Sequence, residues 1–181
     1  MERDLAGVVV LSAGDFLLRP PDVAEWAAVL ELGLDPDVRL WNPRCRITDE
    51  DDAVRDCLAG ADWSDGSHAT FSIVHGGSGR YAGNVALHGI DAGTGEAKVG
   101  YRIARWSRGR GVASRAVESV AAWGFAELSL RRVLLTHAVE NAASCRVAEK
   151  CGFGLERFLQ ASKVFGDGLV HDEHLHVRSV S

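Results

Sequence analysis

Arginine and glycine alternate at Arg108-Gly109-Arg110-Gly111, and Val112-Ala113-Ser114 follow at once. The residues before them, Lys98 to Ala104, alternate as a strand does. After them, apolar residues recur at Val112, Ala116, Val120 and Trp123, and again at Ala113, Val117, Ala121 and Gly124, which is helical spacing. A glycine-rich turn from a strand into a helix leaves the first helical N–H groups unpaired at the helix's positive end. That is an anion site, and nearby guanidinium groups strengthen it. The expected ligand is a pyrophosphate held at Arg108, Gly109, Arg110, Gly111, Val112, Ala113 and Ser114. The same residues could also form a plain helix start with solvated arginines, so a second signal is needed.

Two well-known phosphate loops do not fit. A Walker loop ends in Gly-Lys-Ser/Thr, which the chain lacks. A dinucleotide fingerprint needs a third glycine where Ser114 stands, and an acidic residue about 20 positions on at the end of a second strand. Glu127 falls within or at the end of the helix pattern instead. The spacing that does match is R-x-x-G-x-A, from Arg108 through Gly111 to Ala113. A second segment runs Asn141-Ala142-Ala143-Ser144-Cys145-Arg146-Val147-Ala148-Glu149-Lys150-Cys151-Gly152-Phe153. Asn141 suits an N-cap and Gly152 a left-handed stop, with Asn141 and Ser144 on one side of the first turn.

Together the two segments resemble the acetyl-CoA pyrophosphate loop and the N-x-x-S-x-x-x-x-E-K-x-G-F segment of the GNAT superfamily of N-acetyltransferases. Phe16 to Pro20 with Asp22, Ala24 and Trp26, and Asp35-Pro36 leading to Leu40-Trp41-Asn42-Pro43, resemble the RimJ/RimL-like branch that acetylates ribosomal-protein N-termini. The resemblance implies an α/β (α+β) fold: one domain over residues 14–180, with residues 1–13 as an N-terminal extension. It also implies a mixed, mostly antiparallel sheet flanked by helices and splayed between its fourth and fifth strands, with CoA in the split.

Acetyl transfer from a thioester to an amine has three requirements. The amine must lose a proton, the carbonyl oxygen must be stabilised, and the departing thiolate must be protonated. By resemblance, a backbone N–H near Ile103 serves the oxygen. Many relatives protonate the thiolate with a tyrosine after the second motif, but no tyrosine follows Tyr101 here. In the N-terminal acetylating branch the serine of N-x-x-S takes that place, which is Ser144 in this chain; it either acts as the acid or only contacts CoA. Asn141 caps its helix and faces the cofactor. The branch often has carboxylates where this chain has Lys98 and Lys163. Glu96, on the same strand face as Lys98, or His88 on the preceding strand could substitute as base. The two lysines suit an acceptor that bears a carboxylate or phosphate.

His171-Asp172-Glu173-His174-Leu175-His176 invites a metal test. On a strand, His174 and His176 share a face and the others do not, so the run offers two ligands and no closed site. No metal is expected. Cys45, Cys57, Cys145 and Cys151 make no C-x-x-C pair and read as reduced thiols. Trp123 belongs to the buried helical stripe; Trp41 either lines an acceptor cleft or pins its loop.

The elements that must position these groups are read as a strand at 14–19, a helix at 21–33, an Asp- and Pro-rich loop, and a helix at 49–60. Strands at 69–75, 81–90 and 96–104 follow, then helix 110–128, strand 131–138, helix 142–151, and strands 155–166 and 169–179. The chain of 181 residues, 46% hydrophobic and 25% charged, suits one globular domain. A net charge of −5 argues against nucleic acid as a general partner. Within this acidic chain, Arg102, Arg105, Arg108, Arg110 and Arg115 cluster as a site for a polyanion such as CoA. No apolar run reaches membrane-spanning length, so a cytoplasmic protein without membrane contact is expected, as monomer or homodimer. The functional expectation is an acetyl-CoA-dependent N-acetyltransferase acting on a primary amine, at a protein N-terminus or on a small molecule. The alternative is a CoA-binding sensor or interaction module without catalysis.

Overall fold

The computed structural model describes residues 9–180 and the backbone of Glu2–Arg3. In chain order the elements are β1 (Glu2–Arg3), β2 (Val9–Ala13), β3 (Phe16–Arg19), a 3-10 turn (Val23–Glu25), α1 (Trp26–Leu34), α2 (Pro36–Trp41) and α3 (Glu50–Ala61). Then come β4 (His68–His75), β5 (Tyr81–Asp91), β6 (Glu96–Ile103), a 3-10 turn (Arg105–Ser107) and α4 (Val112–Glu127). β7 (Arg132–Ala138), α5 (Ala142–Lys150), β8 (Gly154–Val164) and β9 (Val170–Ser179) complete the chain.

The strands form one sheet in the order β1-β2-β3-β4-β5-β6-β7-β9-β8. Every neighbouring pair is antiparallel except β6 and β7, which run parallel. That parallel pair holds at only three register positions: Glu96 with Arg132, Ala97 with Val133 and Lys98 with Leu134. β6 continues to Ile103 and β7 to Ala138, so the two strands diverge beyond Lys98 and Leu134. This is the expected split between the fourth and fifth strands of the sequence reading.

α4 covers one face of the sheet. Ala116, Val117, Val120 and Ala121 are fully buried and share one core with Phe71, Ile73, Val85, Leu87, Val133 and Leu135. Burying each such valine contributes about 1.5–3 kcal/mol. A smaller cluster joins α1, α2 and α3 through Val29, Leu32, Val38, Ile47, Ala53 and Cys57, with Tyr81 beneath. Gly83, at φ 141°, lies so close to β6 that a Cβ there would meet the Arg102 carbonyl at 2.1 Å. Only glycine lets β5 approach β6 at the mouth of the split.

Two local readings need correcting. The strand read at 14–19 is the second arm of a hairpin: Val9–Ala13 pairs with Phe16–Arg19 around Gly14 at φ 69°. The Asp- and Pro-rich stretch read as a loop contains α2. Asp35 caps it by accepting the N–H groups of Asp37 and Val38, and Pro36 occupies its first turn. A capping aspartate followed by proline starts a helix.

Candidate active site

Gly109 and Gly111 adopt left-handed conformations, at φ 75° and 74°. Gly111 is the N-cap of α4 and provides no side-chain acceptor. The N–H groups of Val112, Ala113 and Ser114 therefore start the helix without intrahelical partners and open onto a cleft. That cleft, of about 550 Å³, is lined by Ile103, Arg108, Gly109, Gly111, Val112, Ala113 and Ser114 on one side. Asn141, Ser144 and Lys150 of the α5 region line the other. The fold thus brings together nearly all the residues expected to hold a phosphate ligand.

The arginines behave differently from the expectation. Arg108 is an internal brace: its guanidinium pairs with Asp35 at 2.9 Å and Asp37 at 2.7 Å, and its Nε donates to the Ile103 carbonyl at 2.9 Å. This clamps α2 to the end of β6 and holds the Ile103 carbonyl. Beside it, Asp35 is held below the usual carboxylate range; the Arg108 bond and backbone N–H groups overcome the upward push of burial. Arg102 is likewise committed, to Asp56 at 2.9 Å and Asn84 at 3.1 Å. Arg115 donates to the Arg110 carbonyl at 3.0 Å and lies over the Phe16 ring. Arg110 and Arg105 are exposed, and Arg110 lies outside the cleft lining. The basic cluster is thus mostly structural, and unpaired backbone N–H groups, not guanidiniums, dominate this wall.

A second cleft of about 880 Å³ lies on the other side of the split and shares Trp41, Asn42, Tyr101, Arg102, Asn141 and Ser144 with the first. At the junction the Tyr101 hydroxyl donates to Ser144 Oγ at 3.0 Å. Ser144 is placed there by the cap of α5, where Asn141 Oδ1 accepts the Ser144 N–H at 3.1 Å. Burial pushes the Tyr101 phenol up to about 12, so it remains a donor. The sequence reading passed over Tyr101 because it looked for a tyrosine downstream. Strand parity would have found it, since Tyr101 is two residues from Ile103 and shares its face.

His88, Lys98, Lys163, Arg44 and Glu173 line this second cleft. His88 stands directly across the β5–β6 ladder from Lys98, with its ring near Gly100, beside Tyr101. Burial, then the charges of Lys98, Arg44 and Lys163, hold the His88 pKa below the ordinary 6.5, so the ring is neutral at pH 7. Among the described residues, no carboxylate pairs with Lys98, Lys163 or Arg44. Lys163 reaches the cleft through a bulge in β8 between Leu159 and Lys163. There Ala161 takes φ 46° and its N–H is held by Asp172 at 2.7 Å. Glu173, 7% exposed, accepts the Ser162 hydroxyl at 2.7 Å and is a cleft residue that sequence reasoning missed. Glu96 is absent from this lining: it pairs with Arg132 at 3.1 Å. Trp41 lines both clefts and packs edge-on against Phe165 and His171, so it is both wall and anchor.

A sheet split at one parallel pair, with a glycine-capped helix on one side and an Asn-capped helix on the other, has counterparts among known proteins. Residues 15–154 match the family described as acetyltransferase (GNAT) domain. The chain belongs to the GNAT acetyltransferase family. A Bacillus subtilis (strain 168) protein named ribosomal N-acetyltransferase YdaF is 34% identical over 94 residues, 52% of this chain and 51% of that protein. The match thus spans about half the length of that relative. Among solved GNAT structures, an acetyltransferase from Bacillus anthracis is 25% identical, with a TM-score of 0.82 over 94% of this chain and 98% of its own. RimL, the ribosomal L7/L12 alpha-N-protein acetyltransferase solved in complex with coenzyme A, superposes with a TM-score of 0.86 at 19% identity. That likeness covers 95% of this chain and 98% of RimL. The mixed-sheet topology is that of the solved GNAT structures. No helix among the described residues is long and apolar enough to cross a membrane.

Proposed function

We propose that this GNAT domain transfers the acetyl group of acetyl-CoA directly to a primary amine on an acceptor that also carries an anionic group. The observation that carries the reading is the Tyr101–Ser144 hydrogen bond at the junction of the two clefts. The pyrophosphate sits on the N–H groups from Gly109 to Ser114, with Asn141 and Ser144 across the groove and Ile103 offering its backbone N–H to the carbonyl oxygen. Arg108 contributes by holding the Ile103 carbonyl, in the peptide unit that follows that N–H, and Arg110 by long-range attraction from the rim.

The amine nitrogen attacks the thioester carbon as its proton passes to neutral His88, directly or through one water. The tetrahedral intermediate expels the thiolate against the Ser144 hydroxyl, whose oxygen accepts from Tyr101, and the proton taken up by His88 reaches the sulfur through solvent. Acetylated amine and CoA thiol leave, with His88 neutral again and Tyr101 still protonated. Ser144 alone is a weak acid. A donor behind it leaves its own proton aimed at the sulfur and stabilises the charge that develops there.

On the acceptor side, Lys98, Lys163 and Arg44 favour a carboxylate or phosphate near the amine by charge complementarity. They also repel an ammonium, so the amine enters neutral and a base as mild as His88 is sufficient. A protein N-terminus flanked by acidic residues and a small amino acid or nucleotide-like amine both meet this description. The reading places the enzyme in the cytoplasm, where acetyl-CoA is available and its four free cysteines stay reduced. The test is thiol release from acetyl-CoA with a panel of amines and peptide N-termini paired by presence or absence of a carboxylate. Turnover favouring the anionic member supports the reading. Binding of acetyl-CoA without turnover on any amine would leave the non-catalytic module as the function.

A further inference from the structure

Behind the cleft, His137 of β7, His174 and His176 of β9, and Cys145 of α5 bring one ligand atom each within 4.8 Å of one another. β7 and β9 are hydrogen-bonded neighbours with His137 directly opposite His174, so strand pairing gathers the three imidazoles. The His137 and His176 rings are stacked with centroids 5.2 Å apart, and His174 meets both edge-on. α5 lays Cys145 against them.

The hydrogen bonding around these rings is uneven in an informative way. His137 Nδ1 faces the Ala138 carbonyl at 2.8 Å, and His176 Nδ1 faces the Phe153 carbonyl at 3.4 Å. A carbonyl only accepts, so each Nδ1 carries the proton and each Nε2 keeps a lone pair. Those two Nε2 atoms, and His174 Nδ1, are buried with no hydrogen-bond partner among the described residues. Three unpartnered buried nitrogens in one place are costly for a packed core, where polar atoms are normally satisfied. A backbone carbonyl on one ring nitrogen with a bare lone pair on the other is the arrangement that orients metal-bound histidine.

We propose that His137, His174, His176 and Cys145 form a structural Zn2+ site. Three imidazole nitrogens and a thiolate are a complete tetrahedral donor set for this ion. Ligand atoms around tetrahedral zinc stand on the order of 3.4 Å apart given its bond lengths, so binding requires a modest inward contraction of side chains. Cys145 and His174 are only partly buried, which leaves an entry path. Four ligands fill the coordination shell and leave none for substrate. The ion is a staple, and acetyl transfer needs no metal. Its role follows from Cys145 being the residue after Ser144: zinc would fasten the first turn of α5 to β7 and β9 and so fix the serine hydroxyl at the cleft junction.

The experiment uses the full chain stripped with a chelator and titrated with Zn2+ or Co2+. The expected result is a single tightly held equivalent of zinc, a Tm rise of roughly 5–10 °C at a hundredfold excess over Kd, and intense visible absorption of tetrahedral Co2+ with a sulfur-to-cobalt charge-transfer band. C145A should remove the charge-transfer band, and H174A, at the more exposed ligand, should abolish tight zinc binding and the Tm rise. C145S provides the same spectral test should another variant fail to fold. Failure of wild type to retain zinc overturns the proposal, as does the weak spectrum of octahedral Co2+. Zinc binding and a Tm rise that persist unchanged in H174A would place the ion elsewhere, and they overturn it too.

Discussion

On one side of the Tyr101–Ser144 hydrogen bond the cleft is walled by backbone, and on the other by ionisable side chains. The first wall is the turn from Gly109 into α4, where two left-handed glycines and a bare helix start present N–H groups. The second is His88, Lys98, Lys163, Arg44 and Glu173, gathered from separate strands and a loop. A backbone wall recognises a phosphate whatever the nearby side chains do, because its donors are fixed by the chain's path. A side-chain wall recognises whatever its unpaired charges complement, and a single substitution can change it. The difference matches the division of labour in the reaction, with one constant cosubstrate and one acceptor that sets the enzyme's identity.

The largest expected effect comes from breaking the backbone wall. Gly111→Asp puts a carboxylate and an L side chain at φ 74°, against the phosphates, and should abolish the Tm rise that acetyl-CoA produces. Normal acetyl-CoA binding by the folded variant would show that this wall is not the pyrophosphate site. Next comes the junction. Ser144→Ala should lower kcat about 100-fold, as expected for loss of a positioned donor to the developing thiolate, with a smaller change in acetyl-CoA KM. Tyr101→Phe should lower kcat about tenfold, the worth of one hydrogen bond that strengthens as charge develops. If Ser144→Ala raises only KM, the serine is a binding contact and not the partner of the leaving thiolate.

The smallest effect sharpens the side-chain wall. With neutral His88 as the proposed base, kcat/KM should rise with pH through a midpoint below 6.5 and then level off. Burial sets most of that depression and Lys98 adds to it, so Lys98→Met should move the rising limb to higher pH and weaken the preference for anionic acceptors. An unmoved limb in Lys98→Met, or one surviving in His88→Gln, would assign the titration to another group. The sign for stability is the same. A histidine whose folded pKa is depressed is protonated first in the unfolded chain, so its contribution is complete above 6.5 and is lost as pH falls below it.

The contrast between the walls also explains what the sequence could reveal. Glycine spacing and a capping asparagine are local signals, and they located Gly109, Gly111, Asn141 and Ser144 before any coordinates. The split of the sheet was legible only through family resemblance, because parallel pairing of β6 with β7 depends on contacts distant in sequence. Arg108 looked like a phosphate ligand because a sequence displays charge but not its partner; Asp35 and Asp37, more than 70 residues upstream, neutralise it. Glu96 and His88 looked equivalent as bases until the fold assigned one to Arg132 and the other to the cleft. The HDEHLH run offered two facing histidines by strand parity. His137 and Cys145 join them only because β7 lies beside β9 and α5 lies over both.

A sheet resists shear through its ladders, and here only three register positions pair β6 with β7. The strands on either side are tied by longer ladders, seven positions between β7 and β9 and seven between β5 and β6. Force applied across the strands therefore concentrates at the short parallel seam. The molecule has a built-in fault line there, and the groups proposed for catalysis lie along it. A chain loaded this way yields first where it must admit substrate and release product, while the core beneath α4 stays intact.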